Sequence, residues 1–255
     1  MKIVTFNIRS CYDGWDEKQS FIFRAGLVRE VIAREKPDVI AFQEVTEAIL
    51  ELLKTLLPEY LIVGHGRLQN YDGEGVYTAI LKESADLIGL ENFWLSPTPY
   101  IPSSRYEEQS QCPRVCCCTL IRDKKTGQLL YVYNIHLDHI KTTAQEKQLR
   151  LVVDKMKARC YDYPAVLLGD FNLKHSESEE MEWLRQQDIV PLKQISGFYP
   201  ATFHDFGKCN EDYLIDYIFT TEDIADKAGE VCLWQDEKHG IYLSDHYPIC
   251  AEFEF

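Results

Sequence analysis

The sequence predicts an α/β protein in which sheets are covered by helices, and two observations support that prediction. Long apolar, β-rich runs recur from one end of the chain to the other, with helical patterns between them. Continuous apolar strands are typical of sheets that are buried on both faces. The short connection DKKTGQ (123–128) between two such runs also indicates antiparallel pairing, so we expect a mixed sheet, or a pair of packed sheets, with outer helices.

The predicted elements alternate along the whole chain. The strands are, in order, KIVTFNI (2–8), DVIAFQEV (38–45), YLIVGHG (60–66), VYTAIL (76–81), VCCCTLI (115–121), LLYVYNIH (129–136), AVLLGDF (165–171), LIDYIFT (214–220) and ICAEFEF (249–255). The helices are FRAGLVREVIARE (23–35), TEAILELLKTLL (46–57), TTAQEKQLRLVVDKMKARC (142–160) and SESEEMEWLRQQ (176–187). No low-complexity linker, charge block or clear repeat interrupts this order, so residues 1–255 are predicted to form a single domain.

The composition is that of an ordinary globular protein, with 45% hydrophobic and 27% charged residues. No apolar run approaches the ~20 residues that cross a bilayer, and the start MKIVTFNIRS lacks the basic and apolar regions of a secretory signal. We therefore expect a cytoplasmic protein without a membrane anchor. Nine cysteines without a CxxC pair fit a reducing compartment. The adjacent Cys116, Cys117 and Cys118 would point to opposite faces of a strand, which predicts buried thiols and not a shared metal.

The charge balance limits the partners. The net charge of −14 opposes tight non-specific binding to a polyanion, because each phosphate contact needs a lysine or an arginine. A local basic groove is still compatible with that balance. An acidic protein can also act on a phosphate ester when a divalent cation supplies the missing positive charge.

Several predicted strands carry, mostly at their ends, a residue that suits chemistry better than a strand. These residues are Asn7, Glu44, His136, Asp170, Asn172 and, inside an apolar run, Asp216. Each has a structural explanation when taken alone, because asparagine caps turns, glutamate pairs with surface bases and histidine can lie satisfied in a core. The pair Asp245 and His246 in LSDHYP, ahead of the last strand, likewise reads as a polar loop by itself.

Together these residues form a set of oxygen ligands and imidazoles, which suits Mg²⁺ or Mn²⁺. The run HLDH (136–139) contains HxxH, a hint of zinc, but no third ligand stands at an expected spacing and HExxH is absent. The sequence also lacks GxxxxGK(S/T), GxGxxG, GxSxG and a DxD pair of the aspartyl phosphatase kind. These absences argue against the corresponding nucleotide, dinucleotide, serine hydrolase and aspartyl phosphatase chemistries.

Six motifs occur in a fixed order along the chain. They are TFN (5–7), FQE (42–44), NIHLDH (134–139), GDFN (169–172), IDYIF (215–219) and SDHYP (244–248). This ordered set resembles the endonuclease/exonuclease/phosphatase superfamily, which has the deoxyribonuclease I-like fold. The resemblance implies a four-layer α/β/β/α sandwich of two packed mixed sheets with outer helices, and a divalent-metal phosphoesterase site at one end of the sheets.

The resemblance also implies roles for individual residues. Glu44 would be the main ligand of Mg²⁺ or Mn²⁺, assisted by Asn7 and, directly or through water, by Asp245. His246 would be the catalytic histidine, and Asp216 would orient and charge it.

Further residues would surround the scissile phosphate. Asp170 would orient or activate the attacking water, Asn172 would donate to a phosphate oxygen, and His136 would be the second histidine, supported by Glu74. Arg114 is a candidate phosphate clamp, although a plain surface arginine fits the sequence nearly as well.

Four phrases, FWLSPTP (93–99), CPR (112–114), HLDH and TFHDF (202–206), resemble compact bacterial members of the superfamily. In those members the loop equivalent to 96–114 borders the substrate, and here it contains the adjacent acids Glu107 and Glu108, which disfavour long DNA. His204 and Trp15 are candidate substrate-side residues, and packing on the rim of the sandwich explains Trp15 slightly better.

The resulting prediction is a Mg²⁺- or Mn²⁺-dependent phosphoric ester hydrolase that cleaves a phosphodiester or phosphomonoester by direct attack of water. The substrate would be a small molecule or a short nucleic acid, and we expect a monomer. Two alternatives stay open, namely a nuclease on short or single-stranded nucleic acid and a catalytically silent binding module. The general base and the number of metals are also left open.

Overall fold

The computed structural model describes residues 1–11, 18–159, 163–173, 178–187, 190–195, 201–209, 211 and 213–255. Trp15 lies outside the described residues.

Strands and helices alternate much as the sequence predicts. The strands are β1 (Lys2–Asn7), β2 (Val39–Val45), β3 (Tyr60–Gly66), β4 (Gly75–Leu81), β5 (Ala85–Trp94), β6 (Val115–Asp123), β7 (Leu129–His136), β8 (Ala165–Asp170), β9 (Leu192–Gln194), β10 (Asp216–Thr221), β11 (Cys232–Leu233), β12 (Glu237–Lys238), β13 (Ile241–Tyr242) and β14 (Ile249–Glu252). The helices are α1 (Phe21–Glu35), α2 (Glu47–Leu56), α3 (Thr142–Lys157) and α4 (Glu179–Arg185), with a 3₁₀ helix at Glu222–Lys227. Within the described ranges, none of these helices combines the length and the apolar character that a membrane span requires.

The strands build two six-stranded mixed sheets. The first has the order β11-β14-β1-β2-β4-β3 and the second the order β5-β6-β7-β8-β10-β9. The pairs β1–β2 and β7–β8 are parallel, and the other pairs in these sheets are antiparallel. Each parallel pair is joined through a helix, α1 or α3, as parallel strands require. The predicted mixed sheets are therefore confirmed.

Alternate residues of each central strand face two different cores, which explains the continuous apolar runs. On β1, Ile3 lies in the core between the two sheets, with Val166 and Ile218 of the second sheet. Its neighbours Val4 and Phe6 lie instead in the core under α1 and α2. A third core, under α3 and α4, covers the outer face of the second sheet. These layers confirm the four-layer α/β/β/α sandwich.

The cysteine run on β6 behaves as the strand period predicts. Cys116 and Cys118 lie in the core under α3 and α4, whereas Cys117 faces the first sheet. All three are buried, and burial raises the pKa of the Cys117 thiol to about 12. The cysteines among the described residues are free thiols.

The sequence does not predict β5 because this strand departs from the apolar pattern. It lies at one edge of the second sheet, pairs with β6, and carries exposed Ile88 and Leu90 beside a register shift at Gly89. An edge strand has a half-exposed face, so it needs no continuous apolar run. The short strands β9, β11, β12 and β13 are missed because two or three residues carry no period.

A buried amide network joins the two sheets behind the polar strand ends. Gln43 Nε2 donates to Asn134 Oδ1 (2.8 Å) and to Thr5 Oγ1 (3.0 Å). Asn134 Nδ2 donates to the carbonyls of Phe42 and Tyr77, both at 3.1 Å. Because buried polar groups must be hydrogen-bonded, this network fixes the relative position of β2, β4 and β7 near their ends.

Candidate active site

The polar strand ends line a cleft of about 510 Å³ at one end of the two sheets. The predicted site residues that line it are Glu44, Glu74, Arg114, His136, Asp170, Asn172, Asp245 and His246. Asn7 and Asp216 lie directly behind this lining, because Asn7 bonds to Glu44 and Asp216 bonds to His246. The structure therefore brings together nearly all the residues that the motifs predict.

Left-handed backbone at two positions aims side chains into the cleft. Glu44 has a φ of 61° and Asn172 a φ of 53°, which are strained values for residues other than glycine. At Glu44 the pairing of β2 with β4 shifts register between Phe42 and Val45, as in a β-bulge. A bulge turns a side chain out of the regular alternation, which explains how Glu44 leaves an otherwise buried strand.

Gly169 in the GDFN motif is required by a close backbone approach. Its φ is 147°, and a Cβ atom there would lie 1.9 Å from the carbonyl oxygen of Ile135 on β7. No side chain can therefore stand at this position without a shift of β7 against β8. The contact sets the register that places Asp170 opposite His136.

Asn7 links acids that come from the two different sheets. Its Nδ2 donates to Glu44 Oε1 (3.1 Å) and to Asp170 Oδ2 (2.9 Å). Its Oδ1 accepts from the backbone N–H of Arg9 (3.0 Å). The amide thus points its nitrogen at the carboxylates, and it acts in this structure as a bridge between β1, β2 and β8.

Two acids of the cleft share the cation Arg9. The guanidinium lies 3.9 Å from Glu44 Oε2 through Nη1 and 3.5 Å from Asp245 Oδ2 through Nε. Burial opposes the charge of Glu44, but the Ser10 N–H (2.9 Å), Arg9 and His246 outweigh it and lower its pKa. Burial raises the pKa of Asp245, against the opposing effect of His246. The carboxylate oxygens of Glu44 and Asp245 already attract the cation Arg9, and such oxygens are also the ligands that hard divalent ions prefer.

His246 is paired with Asp216 and faces Asp170. Its Nδ1 lies 2.8 Å from Asp216 Oδ2, and its Nε2 lies 3.9 Å from Asp170 Oδ2. Burial alone would lower the pKa of His246, but Asp216, Asp170 and Asp245 outweigh it and raise that pKa to about 10. The imidazole is therefore held as a cation with a fixed orientation.

Asp170 lies between the two histidines. Its Oδ2 is 3.5 Å from Nε2 of His136, and its Oδ1 accepts from the backbone N–H of Asn172 (2.9 Å). Burial and the charge of Asp216 raise the pKa of Asp170 to about 7, against the opposing effect of His246. A carboxylate with a pKa near neutrality is suited to accept a proton at physiological pH.

The buried group Asp170, Asp216 and His246 has the composition of a metal site, because it offers ligand atoms within 4.8 Å of one another. The hydrogen bond between His246 and Asp216 already accounts for part of this closeness. Glu44 and Asp245, with Asn7 behind Glu44, form the oxygen-rich set on the other side of Asp170. Both sets border the same cleft, and carboxylate oxygens are the ligands that Mg²⁺ and Mn²⁺ prefer.

Glu74 has a different partner from the predicted one. Its Oε2 pairs with Arg67 Nη1 at 2.7 Å, whereas the acid beside His136 is Asp170. The reason is the hairpin of β3 and β4, in which Gly66 pairs with Gly75 and brings the flanking residues Arg67 and Glu74 together.

His204 lies outside the cleft, since the described residues that line the cleft do not include it. Its ring is buried and stacks on Tyr247 with centroids 3.8 Å apart. Its Nδ1 accepts from the backbone N–H of Gly207 (3.0 Å), and its backbone N–H donates to the carbonyl of Asp245 (2.8 Å). These contacts give His204 a structural role in holding the loop that carries Asp245.

Arg24 is a positioning residue that the motifs do not indicate. Its fully buried guanidinium donates to the carbonyls of Ile8 (2.9 Å) and Leu243 (2.6 Å). These carbonyls belong to the segments that follow Asn7 and precede Asp245. Arg24 therefore ties the two segments to α1, and only its tertiary contacts show this.

The chain matches the description Endonuclease/Exonuclease/phosphatase family over residues 4–246. It belongs to this family. A family structure from Bacteroides vulgatus is 27% identical with a TM-score of 0.88, and the match covers 99% of this chain and 98% of that one. This likeness confirms the predicted family and the predicted resemblance to its bacterial members.

Two other known proteins are similar to this chain, and each similarity supports a narrower statement. The Bacteroides thetaiotaomicron mannosyl-6-phosphatase Bt3783 is 24% identical with a TM-score of 0.86, covers 100% of both chains, and shows the shared fold. Tyrosyl-DNA phosphodiesterase 2 of Danio rerio is 27% identical over 181 residues, which are 69% of this chain and 42% of that protein.

Proposed function

We propose that the protein is a Mg²⁺- or Mn²⁺-dependent phosphoric ester hydrolase in which water attacks phosphorus directly. The observation that carries this proposal is the paired His246 and Asp216 facing Asp170, with Asn7 joining Asp170 to Glu44 through its amide nitrogen. Family membership and the likeness to a phosphodiesterase of Danio rerio support the same reaction class.

The charges of the cleft match the needs of phosphate ester hydrolysis. Negative charge grows on the phosphoryl and leaving oxygens in the transition state, so the site needs preorganised donors and a base for water. Asp170, with its raised pKa, accepts the proton of the water, and protonated His246 donates to a phosphoryl oxygen or to the leaving oxygen. Asp216 keeps the imidazole charged and fixes its tautomer.

The remaining donors bind the phosphate itself. One N–H of the Asn172 side chain donates to the carbonyl of Leu137 (3.1 Å), which leaves the other for a phosphate oxygen. Burial, followed by Arg114 and Arg67, lowers the pKa of His136 well below its usual value, so it is neutral and donates through one ring nitrogen.

Glu44 and Asp245, with Asn7 behind them, would hold the divalent cation. When bound, such a cation neutralises charge that develops on phosphoryl oxygens and lowers the pKa of a bound water.

The proposal is tested by hydrolysis of bis(4-nitrophenyl) phosphate and 4-nitrophenyl phosphate with Mg²⁺ or Mn²⁺. We expect Glu44→Gln and His246→Ala each to lower the rate about a hundredfold or more. Calorimetry should show weaker cation binding in Glu44→Gln but not in the control Glu51→Gln, which alters an exposed acid on α2. Near-full hydrolysis in both site variants would contradict the proposal.

A second candidate is a nuclease acting on short or single-stranded nucleic acid, and the likeness to the Danio rerio phosphodiesterase favours it. The net charge of −14 and the adjacent acids Glu107 and Glu108 disfavour long duplexes. Salt-sensitive, metal-dependent shortening of a labelled ten-nucleotide DNA strand would support this candidate, and an unchanged strand under conditions that hydrolyse 4-nitrophenyl phosphate would exclude it.

A further inference from the structure

The cleft has a basic wall that the hydrolytic residues do not use. It consists of Arg67 after β3, Arg114 before β6 and His139 after β7, and all three line the cleft. The arginines lie close enough that Arg67 lowers the pKa of Arg114, although burial is the larger cause. Two neighbouring guanidinium groups in a protein of net charge −14 are a concentration of positive charge that folding alone does not favour.

Arg114 is the centre of this basic wall. Arg114 is only 4% exposed, and its Nη2 lies 3.0 Å from Nδ1 of His139. In the part of the chain that the structure describes, Arg114 forms no ion pair with a carboxylate. Its Nε is buried and has no hydrogen-bond partner among the same described residues. A buried cation without an acid is costly, and an anion bound in the cleft would offset that cost.

The two neighbours of Arg114 are fixed as donors. Arg67 pairs with Glu74 at 2.7 Å, and its carbonyl accepts from Trp94 Nε1 at 2.7 Å, so its guanidinium is held at the cleft wall. Arginine only donates, so Nδ1 of His139 is the acceptor from Arg114, and Nε2 of the neutral ring carries the hydrogen. Every free polar atom of the basic wall is therefore a donor.

These donors exceed what one phosphoryl group needs. Asn172, His136 and His246 already lie around the position beside Asp170, where the divalent cation would also bind phosphoryl oxygens. We infer that Arg67, Arg114 and His139 form a subsite for a second anionic group of the substrate, a phosphate or a carboxylate. This inference rests on the proposed function, because the first anionic group is the ester that is hydrolysed.

Binding of two related probes tests the subsite without relying on turnover. Calorimetric titrations use fructose 6-phosphate and fructose 1,6-bisphosphate, with Mg²⁺, in the His246→Ala background, in which hydrolysis is slow. We expect the bisphosphate to bind at least tenfold more tightly. Arg67→Met should reduce this ratio below threefold, while the affinity for the monophosphate changes less than twofold.

Matched variants keep the result interpretable. Arg67→Lys preserves the charge, so the logarithm of its affinity ratio of bisphosphate to monophosphate should be at least half that of the protein with Arg67. Thermal unfolding checks that each variant is folded. Arg122→Met, which removes an exposed arginine of β6, should leave the ratio unchanged. Equal affinities for the two sugars, or an equal loss of both in Arg67→Met, would overturn the inference. An equal loss of affinity for both sugar phosphates would assign the basic wall to the hydrolysed phosphate. Either result would leave the proposed function intact, because that function is tested by hydrolysis of 4-nitrophenyl phosphate by the unaltered protein.

Discussion

Nδ1 of His246 lies 2.8 Å from Oδ2 of Asp216, and both side chains are buried. Asp216 begins β10 of the second sheet, whereas His246 precedes β14 of the first. The pair therefore spans the two sheets, as Asn7 does between Glu44 and Asp170. Because its parts come from both sheets, the geometry of the site depends on how the sheets stack.

Asp216→Asn should remove the positive charge of His246 while leaving the position of its ring unchanged. The amide keeps the shape but removes the carboxylate that raises the pKa of His246 toward 10, so that pKa should fall. We expect kcat for 4-nitrophenyl phosphate to fall by about 10²- to 10⁴-fold, with a smaller change in KM. NMR titration of the histidine rings measures the shift directly.

The control for this prediction is Asp226→Asn in the exposed part of the 3₁₀ helix, which should leave both kcat and the His246 pKa unchanged. A kcat in Asp216→Asn within fivefold of the unaltered protein would show that the pair is structural.

Asn134→Leu should weaken the join between the sheets. The substitution removes the amide donor to the buried carbonyls of Phe42 and Tyr77, and it removes one of the three partners of Gln43 Nε2. We expect the free energy of unfolding to fall by about 2–4 kcal/mol, measured by urea denaturation. The matched control is Thr119→Val, because the buried Thr119 hydroxyl has no hydrogen-bond partner within the described ranges and its loss should be neutral or stabilising. Similar losses in both variants would contradict the role of the network.

The motifs were enough to predict the sheets, the layers and most of the cleft. Apolar runs predict the central strands because each buries both faces, and the unsuited polar residues at their ends identify Glu44, Asp170 and Asp216. The edge strand β5 was missed because half of it faces solvent.

The rest of the site depends on contacts between distant segments. Arg24 acts through carbonyls that the sequence does not mark, and Arg114 differs from a surface arginine only in its burial. The sequence does contain a signal for the pairing of Arg67 with Glu74, namely Gly66 and Gly75, which pair at the end of the hairpin of β3 and β4. Read as a hairpin, that stretch predicts Arg67 as the partner of Glu74.

Gly169→Ala should be among the most damaging single substitutions. The added methyl would lie 1.9 Å from the carbonyl oxygen of Ile135, at a φ of 147° that alanine rarely adopts. We expect a loss of about 3 kcal/mol or more, or failure to fold, measured by thermal and urea unfolding. Gly26→Ala is the opposite control, since its methyl meets nothing within 4 Å on helix α1 and should stabilise by about 0.5–1 kcal/mol. A folded Gly169→Ala protein of unchanged stability would contradict the close approach of β7 and β8.

His204 should make stability sensitive to mild acid. Burial, and secondarily the charge of His246, lower the pKa of His204 from 6.5 to about 4. Protonation of Nδ1 would also break the hydrogen bond that Nδ1 accepts from the backbone N–H of Gly207. The unfolded chain therefore binds more protons than the folded one between these two pKa values. The stabilising contribution of the neutral ring is complete above pH 6.5 and is lost as the pH falls toward 4.

His204→Phe keeps an aromatic ring against Tyr247 and removes the titrating group. Urea unfolding at pH 7, 6 and 5 should show the unaltered protein losing about 2 kcal/mol more than the variant by pH 5. The other histidines are common to both proteins, so the difference between the two profiles isolates His204. Parallel profiles would mean that His204 is protonated as readily in the folded state as in the unfolded chain, and would contradict its placement as a buried neutral ring.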